Sequence, residues 1–151
     1  MPAPLLTSDA PLPLQDAPGQ PAAPLRVLLV EDSALIRERL LDLVASCEGF
    51  AVTAEVESEP QALAALAQQR FDAVVVDLQL REGTGFGVLR ALLHAPQRPL
   101  TMVLTNTSTR PVRERCLALG AHHFFDKSNE FDQVAQALDA LRATLHRGRH
   151  P

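Results

Sequence analysis

Tryptophan and tyrosine are absent from this chain of 151 residues, and its aromatic side chains are six phenylalanines. Without indole or phenol rings there is no platform of the kind on which single-stranded nucleic acids stack. A basic excess is missing too. Fourteen Lys and Arg against eighteen Asp and Glu leave a net charge of -4, so phosphate-backbone attraction gives no case for direct DNA binding. Cysteine is scarce: Cys47 and Cys116 stand alone, and neither belongs to a CxxC pair. A disulfide scaffold needs more of them in a shorter chain, so both are expected to be buried thiols acting as small apolar residues. No apolar run approaches the ~20 residues that cross a bilayer. The N-terminus also lacks the basic start and apolar stretch of a signal peptide. The expected location is the cytoplasm, with no membrane partner.

What remains is ordinary for a globular protein, 46% apolar and 21% charged, in a length that suits one domain with a sizeable core. Seven of the twelve prolines fall within residues 1–24, among Ala, Gln and Gly. Proline removes backbone donors and few large apolar side chains are available there, so a disordered arm is expected over 1–24. From Leu25 the pattern changes. Short apolar runs occur at Leu25–Val30, Phe50–Val56, Ala73–Val76, Leu100–Leu104 and His122–Phe125. The first, third and fourth are almost continuously apolar, as strands covered on both faces must be.

Helical spacing fills the gaps. Ile36, Leu40, Leu43, Val44 and Cys47 mark a first helix, and Ser58-Glu59-Pro60-Gln61 opens a second with a capping-box pattern. A third is expected from about Thr84 to His94. A fourth starts near Thr109 and closes at Gly120, and Phe131, Val134, Ala135, Leu138, Leu141 and Leu145 stripe a fifth. Five strands alternating with five helices predict right-handed crossovers and an α/β, doubly wound, five-stranded parallel sheet over 25–147. Only a short tail, 148–151, follows, which leaves no room for an output domain within the sequence.

Polar residues then mark the strand ends: Glu31 and Asp32 after the first run, Asp77 after the third, Thr105 ending the fourth, Lys127 beyond the fifth. In a parallel sheet like ends share one edge, so these residues converge on the crevice where such sheets bind ligands. Two carboxylates ~4 Å apart repel by ~4 kcal/mol at an effective dielectric near ~20. Three together call for a cation, and oxygen-only ligands at an open site suit Mg2+. His122-His123 read as a plain strand pair rather than a metal site, because neighbours on a strand face opposite ways.

These stretches, Val27-Leu28-Leu29-Val30-Glu31-Asp32-Ser33, Val74-Val75-Val76-Asp77-Leu78, Val103-Leu104-Thr105 and Phe124-Phe125-Asp126-Lys127, make the chain resemble the receiver domain of two-component response regulators, a flavodoxin-like fold. The likeness runs from about Leu25 to Leu145 without a missing element. It implies that Asp77 accepts a phosphoryl group from a sensor histidine kinase or phosphotransfer protein. It further implies that Glu31, Asp32, Asp77 and the backbone carbonyl of Gln79 hold Mg2+. Thr105 and Lys127 would bind the phosphoryl oxygens, and Phe124 would be the aromatic switch. Gln79 and Thr107 border the path of an attacking water and are candidates for setting the dephosphorylation rate.

Some positions depart from the family pattern. Ser128 follows Lys127 where proline is usual, Arg81 stands where proline is frequent, and Asn106 replaces a small residue. The expected protein is a stand-alone response regulator, not an enzyme beyond promoting its own phosphorylation and dephosphorylation. Its output, and any homodimer, would use the fourth helix, fifth strand and fifth helix. The alternatives are a phosphorylation-independent docking module and a Mg2+-dependent phosphohydrolase. The latter usually has a second acid two residues past its nucleophile, where this chain has Gln79.

Overall fold

Alternate residues of a strand face opposite sides, and a strand apolar at every position must therefore be covered twice. The first run meets this requirement: Val27 and Leu29 enter one core cluster, Leu28 and Val30 the other. All four are 0% exposed. Each such side chain contributes on the order of 1.5–3 kcal/mol by leaving water.

The computed structural model describes residues 23–148. The arm expected over 1–24 lies outside the described residues except for Ala23 and Pro24, and so do residues 149–151 of the tail. The strands are β1 (Leu25–Val30), β2 (Phe50–Val56), β3 (Ala73–Val76), β4 (Leu100–Thr105) and β5 (His123–Asp126). The helices are α1 (Ala34–Ala45), α2 (Glu59–Gln68), α3 (Gly85–Leu93), α4 (Arg110–Ala118) and α5 (Gln133–Gly148). The strands form one parallel sheet in the order β2-β1-β3-β4-β5. Leu40 and Val44 of α1 and Val134 and Leu138 of α5 cover one face. Ala62 of α2, Leu89 of α3 and Cys116 of α4 cover the other. The chain winds in opposite directions from β1 and β3, and that reversal opens the crevice at their carboxyl ends.

Local chemistry sets the helix ends. Ser33 caps α1 by accepting from Ile36 N, and Ser58 caps α2 by accepting from Gln61 N at 3.2 Å. The Gln61 carboxamide reaches back to Glu57 N at 2.8 Å, one residue before the cap that a strict capping box would serve. Thr109 caps α4, which has Pro111 in its first turn and Gly120 beyond its end at φ +98°, a conformation that glycine adopts without steric cost.

Three boundaries differ from expectation. β5 begins at His123 because the His122 ring turns back to β4, where its Nδ1 accepts from Thr101 N at 3.0 Å. β4 continues through Thr105. The apolar stripe of the last helix starts in the turn before it: Phe131 is buried, but regular helix begins at Gln133. Its far end leaves the core, with Leu145 37% exposed. Cys47 and Cys116 are free and buried, in separate core clusters on the two sides of the sheet. Burial pushes both thiols up, Cys116 to about 11. Among the described residues no helix is long and apolar enough to cross a membrane.

Candidate functional site

The last backbone bonds of the central strands aim three carboxylates at one point. Glu31 N donates to Val56 O at 2.9 Å and Asp77 N to Val30 O at 2.9 Å, so the ends of β2, β1 and β3 are held in step. Glu31 and Asp77 are buried and Asp32 is exposed. Each can offer one oxygen such that all three lie within 4.8 Å of one another.

Lys127, directly beyond β5, enters from the other side. Its Nζ lies 2.9 Å from Glu31 Oε1 and 2.8 Å from Asp77 Oδ2. Leu78 N donates to Asp77 Oδ1 at 2.7 Å, and Ser33 N to Glu31 Oε2 at 3.0 Å. Burial raises the Glu31 pKa, against the opposing effects of Lys127 and the Ser33 N–H. Burial alone would lower Lys127, but its bonds to Asp77 and Glu31 outweigh it and hold the ammonium above its ordinary value. One ammonium facing three carboxylates leaves two negative charges when all are ionised. A small divalent cation matches both that charge and the oxygen-only donors, and exposed Asp32 leaves the site open to water. The residues fit Mg2+.

Thr105 is 1% exposed at the end of β4. Lys127 N donates to its carbonyl at 3.0 Å, and Thr107 N reaches its hydroxyl oxygen at 3.3 Å. Gln79 is exposed at the mouth of the crevice and pairs with Thr84 in an isolated antiparallel bridge. That bridge closes a tight loop, and Gly85 makes it feasible: a Cβ there would stand 2.2 Å from the Asp77 carbonyl oxygen. Phe124 belongs to β5, three residues before Lys127. It is 5% exposed in the core cluster shared with Val103 and Cys116, and the Arg113 guanidinium lies over its ring. His122 holds the start of β5 to β4, and His123 stacks on Phe125 with centroids 5.3 Å apart. The Lys127–Ser128 peptide bond is trans, as no cis bond occurs among the described residues.

An ion-pair network beside the site, Arg37, Glu57 and Arg81, escaped the sequence reading. Its members come from three separate elements and follow no period.

Residues 27–139 match the family model of the response regulator receiver domain, and the chain belongs to that family. Receivers of this kind act in two-component signalling with histidine kinases or phosphotransfer proteins, and phosphorylation and Mg2+ binding are features of the family. A protein-glutamate methylesterase/protein-glutamine glutaminase of Anaeromyxobacter dehalogenans is 39% identical over 124 residues, covering 81% of this chain and 36% of that protein. Its counterpart in Symbiobacterium thermophilum is 34% identical over 107 residues, covering 69% of this chain and 29% of that protein. The chain thus spans about a third of the length of the curated relatives it matches. The response regulator domain of Thermotoga maritima CheB superposes with a TM-score of 0.69 at 22% identity, covering 80% of this chain and 95% of that one. The receiver domain of the Pseudomonas aeruginosa sensor histidine kinase PA1611, with magnesium coordinated in its active-site cleft, gives a TM-score of 0.64 at 27% identity, covering 76% of this chain and 97% of that one.

Proposed function

We propose that Asp77 accepts a phosphoryl group from the phosphohistidine of a kinase or phosphotransfer protein, and that the signal leaves by protein contacts through α4, β5 and α5. The observation that carries this reading is Lys127 Nζ lying between Glu31 and Asp77. A cation and a nucleophilic carboxylate thereby share a buried site open on the Asp32 side. An Asp77 oxygen attacks phosphorus and forms a P–O bond. The P–N bond of the donor breaks, and its electron pair and a proton go to the imidazole.

Glu31, Asp32, Asp77 and the Gln79 carbonyl would hold Mg2+, as the magnesium-bearing receiver of the P. aeruginosa kinase supports. When bound, the ion offsets charge on the phosphoryl oxygens and orients the donor. Lys127 pairs with one oxygen of the product and the Thr105 hydroxyl donates to another. Phosphorylation adds ~1.5 to 2 negative charges at this point. The pull on Thr105 is transmitted along β4 to its neighbour β5 and so to Phe124, whose packing against α4 shifts. Hydrolysis reverses the switch: water attacks phosphorus and the Asp77 carboxylate leaves, and Gln79 and Thr107 would orient the water.

The same chemistry serves a receiver that acts alone and one joined to an effector. The assembled acidic cluster weighs against a docking module that ignores phosphorylation. Incubation with acetyl phosphate tests the reading. Labelling that requires Mg2+ and vanishes in chelator and in Asp77→Asn supports it, whereas undiminished labelling of Asp77→Asn overturns it.

A further inference from the structure

Two sides of the acidic site come from different parts of the chain: Glu31 and Asp32 follow β1, and Asp77 and Gln79 follow β3. Glu57, immediately beyond β2, reaches both. Its Oε2 lies 3.3 Å from Arg37 Nη2, and its Oε1 lies 2.9 Å from Arg81 Nη1. Its backbone carbonyl also accepts from Arg81 N at 3.1 Å, so one residue grips Arg81 twice. Arg37 continues the chain of contacts inward. Its Nη1 donates to the carbonyl oxygen of Glu31 at 2.8 Å, its Nε faces Glu55 at 3.7 Å, and its side chain is only 17% exposed. Arg81 lies two residues past Gln79 in the loop that carries the Gln79 carbonyl.

We propose that Glu57 is a positioning residue, bracing the β1 side of the acidic site against the β3 side and thereby setting the site's affinity for Mg2+. The proposal rests on reading Glu31, Asp32 and Asp77 as the metal site. Magnitudes separate this role from simple stabilisation. Arg81 is 74% exposed, and exposed ion pairs add only ~0–1 kcal/mol to stability. Metal affinity responds more steeply to what holds the ligands, with typical losses of ~10–100-fold when an outer partner is removed. The bracket depends on the Arg81 side chain, whose Nη1 meets Glu57 Oε1 at 2.9 Å.

The test is calorimetric titration of the full chain with MgCl2, beside thermal unfolding of the metal-free protein. Glu57→Ala is expected to weaken Mg2+ binding by about threefold to tenfold, below the usual outer-partner loss because the bracket is partly solvated. The metal-free unfolding midpoint should move by no more than a few degrees. Glu57→Gln, which keeps an acceptor for Arg81, should fall between. Arg81→Ala should weaken binding as well, and the double variant should lose no more than Glu57→Ala alone, because the two act as one unit. If Glu57→Ala does not fold, Arg81→Ala carries the same test. Parental affinity in both single variants would overturn the bracket and leave the metal site standing. Absence of Mg2+ binding by the parent would overturn both.

Discussion

Both oxygens of Asp77 are engaged, Oδ1 by the Leu78 N–H and Oδ2 by Lys127. In the proposed transfer, fixed donors of this kind would hold Asp77 in one orientation and be in place when charge builds on phosphorus. Residues around it then divide the work. Gln79, exposed beside the crevice, has an amide that can orient a water, as a glutamine does in GTPases. Gln79→Ala is expected to change the lifetime of the aspartyl phosphate severalfold while leaving its formation intact. An unaltered decay rate, followed by phosphate-affinity gel, excludes the role. Gly85 acts sterically. A Cβ would meet the Asp77 carbonyl oxygen at 2.2 Å and Leu78 Cα at 2.9 Å, both backbone atoms with little freedom to yield. Gly85→Ala should cost ~1–3 kcal/mol in denaturant unfolding; a change below ~0.5 kcal/mol would show that the loop and α3 separate freely.

Among the elements, β5 has the least regular boundary and, under the proposed function, carries the signal path. His122 accepts from Thr101 N through Nδ1, which requires the neutral ring. Partial burial, with Arg98 and His123 nearby, lowers its pKa from the ordinary 6.5. A base with a depressed folded pKa contributes stability above its unfolded pKa and loses it as pH falls through the folded value. His122→Gln should therefore unfold at a lower temperature than the parent near pH ~7.5, with the gap closing toward pH ~5. A constant gap contradicts the latch. Downstream, phosphorylation should alter amide exchange from Arg110 to Phe125, and Thr105→Ala should blunt that change while still permitting phosphorylation. Changes confined to α1 and α2 would refute this route.

The runs of β1, β2 and β3 were legible to the residue in the sequence, because each is bounded on both sides by proline, glycine or a charged residue. The start of β5 was not, since His122 substitutes a ring nitrogen for a backbone partner. Nor was the inward ring of Phe124, because an aromatic on an apolar strand has the same pattern whichever way it packs. The meeting of Glu31, Asp32, Asp77 and Lys127 could be read from strand ends alone. That Lys127 spans the two buried carboxylates, rather than pairing with exposed Asp32, depends on side-chain reach and burial that no spacing encodes.

For the whole molecule, the sheet order gathers Glu31, Asp32, Asp77, Thr105 and Lys127 at one edge, and the proposed output uses α4, β5 and α5. The part of the methylesterase relatives that this chain matches is about a third of their length. The proposed function depends at every scale on one covalent event. Phosphorylation with acetyl phosphate and Mg2+, followed by borohydride reduction, converts an aspartyl phosphate to homoserine, which peptide mass spectrometry locates. Homoserine is expected at position 77 alone; unmodified Asp77, or homoserine at position 32 instead, would refute phosphorylation at Asp77.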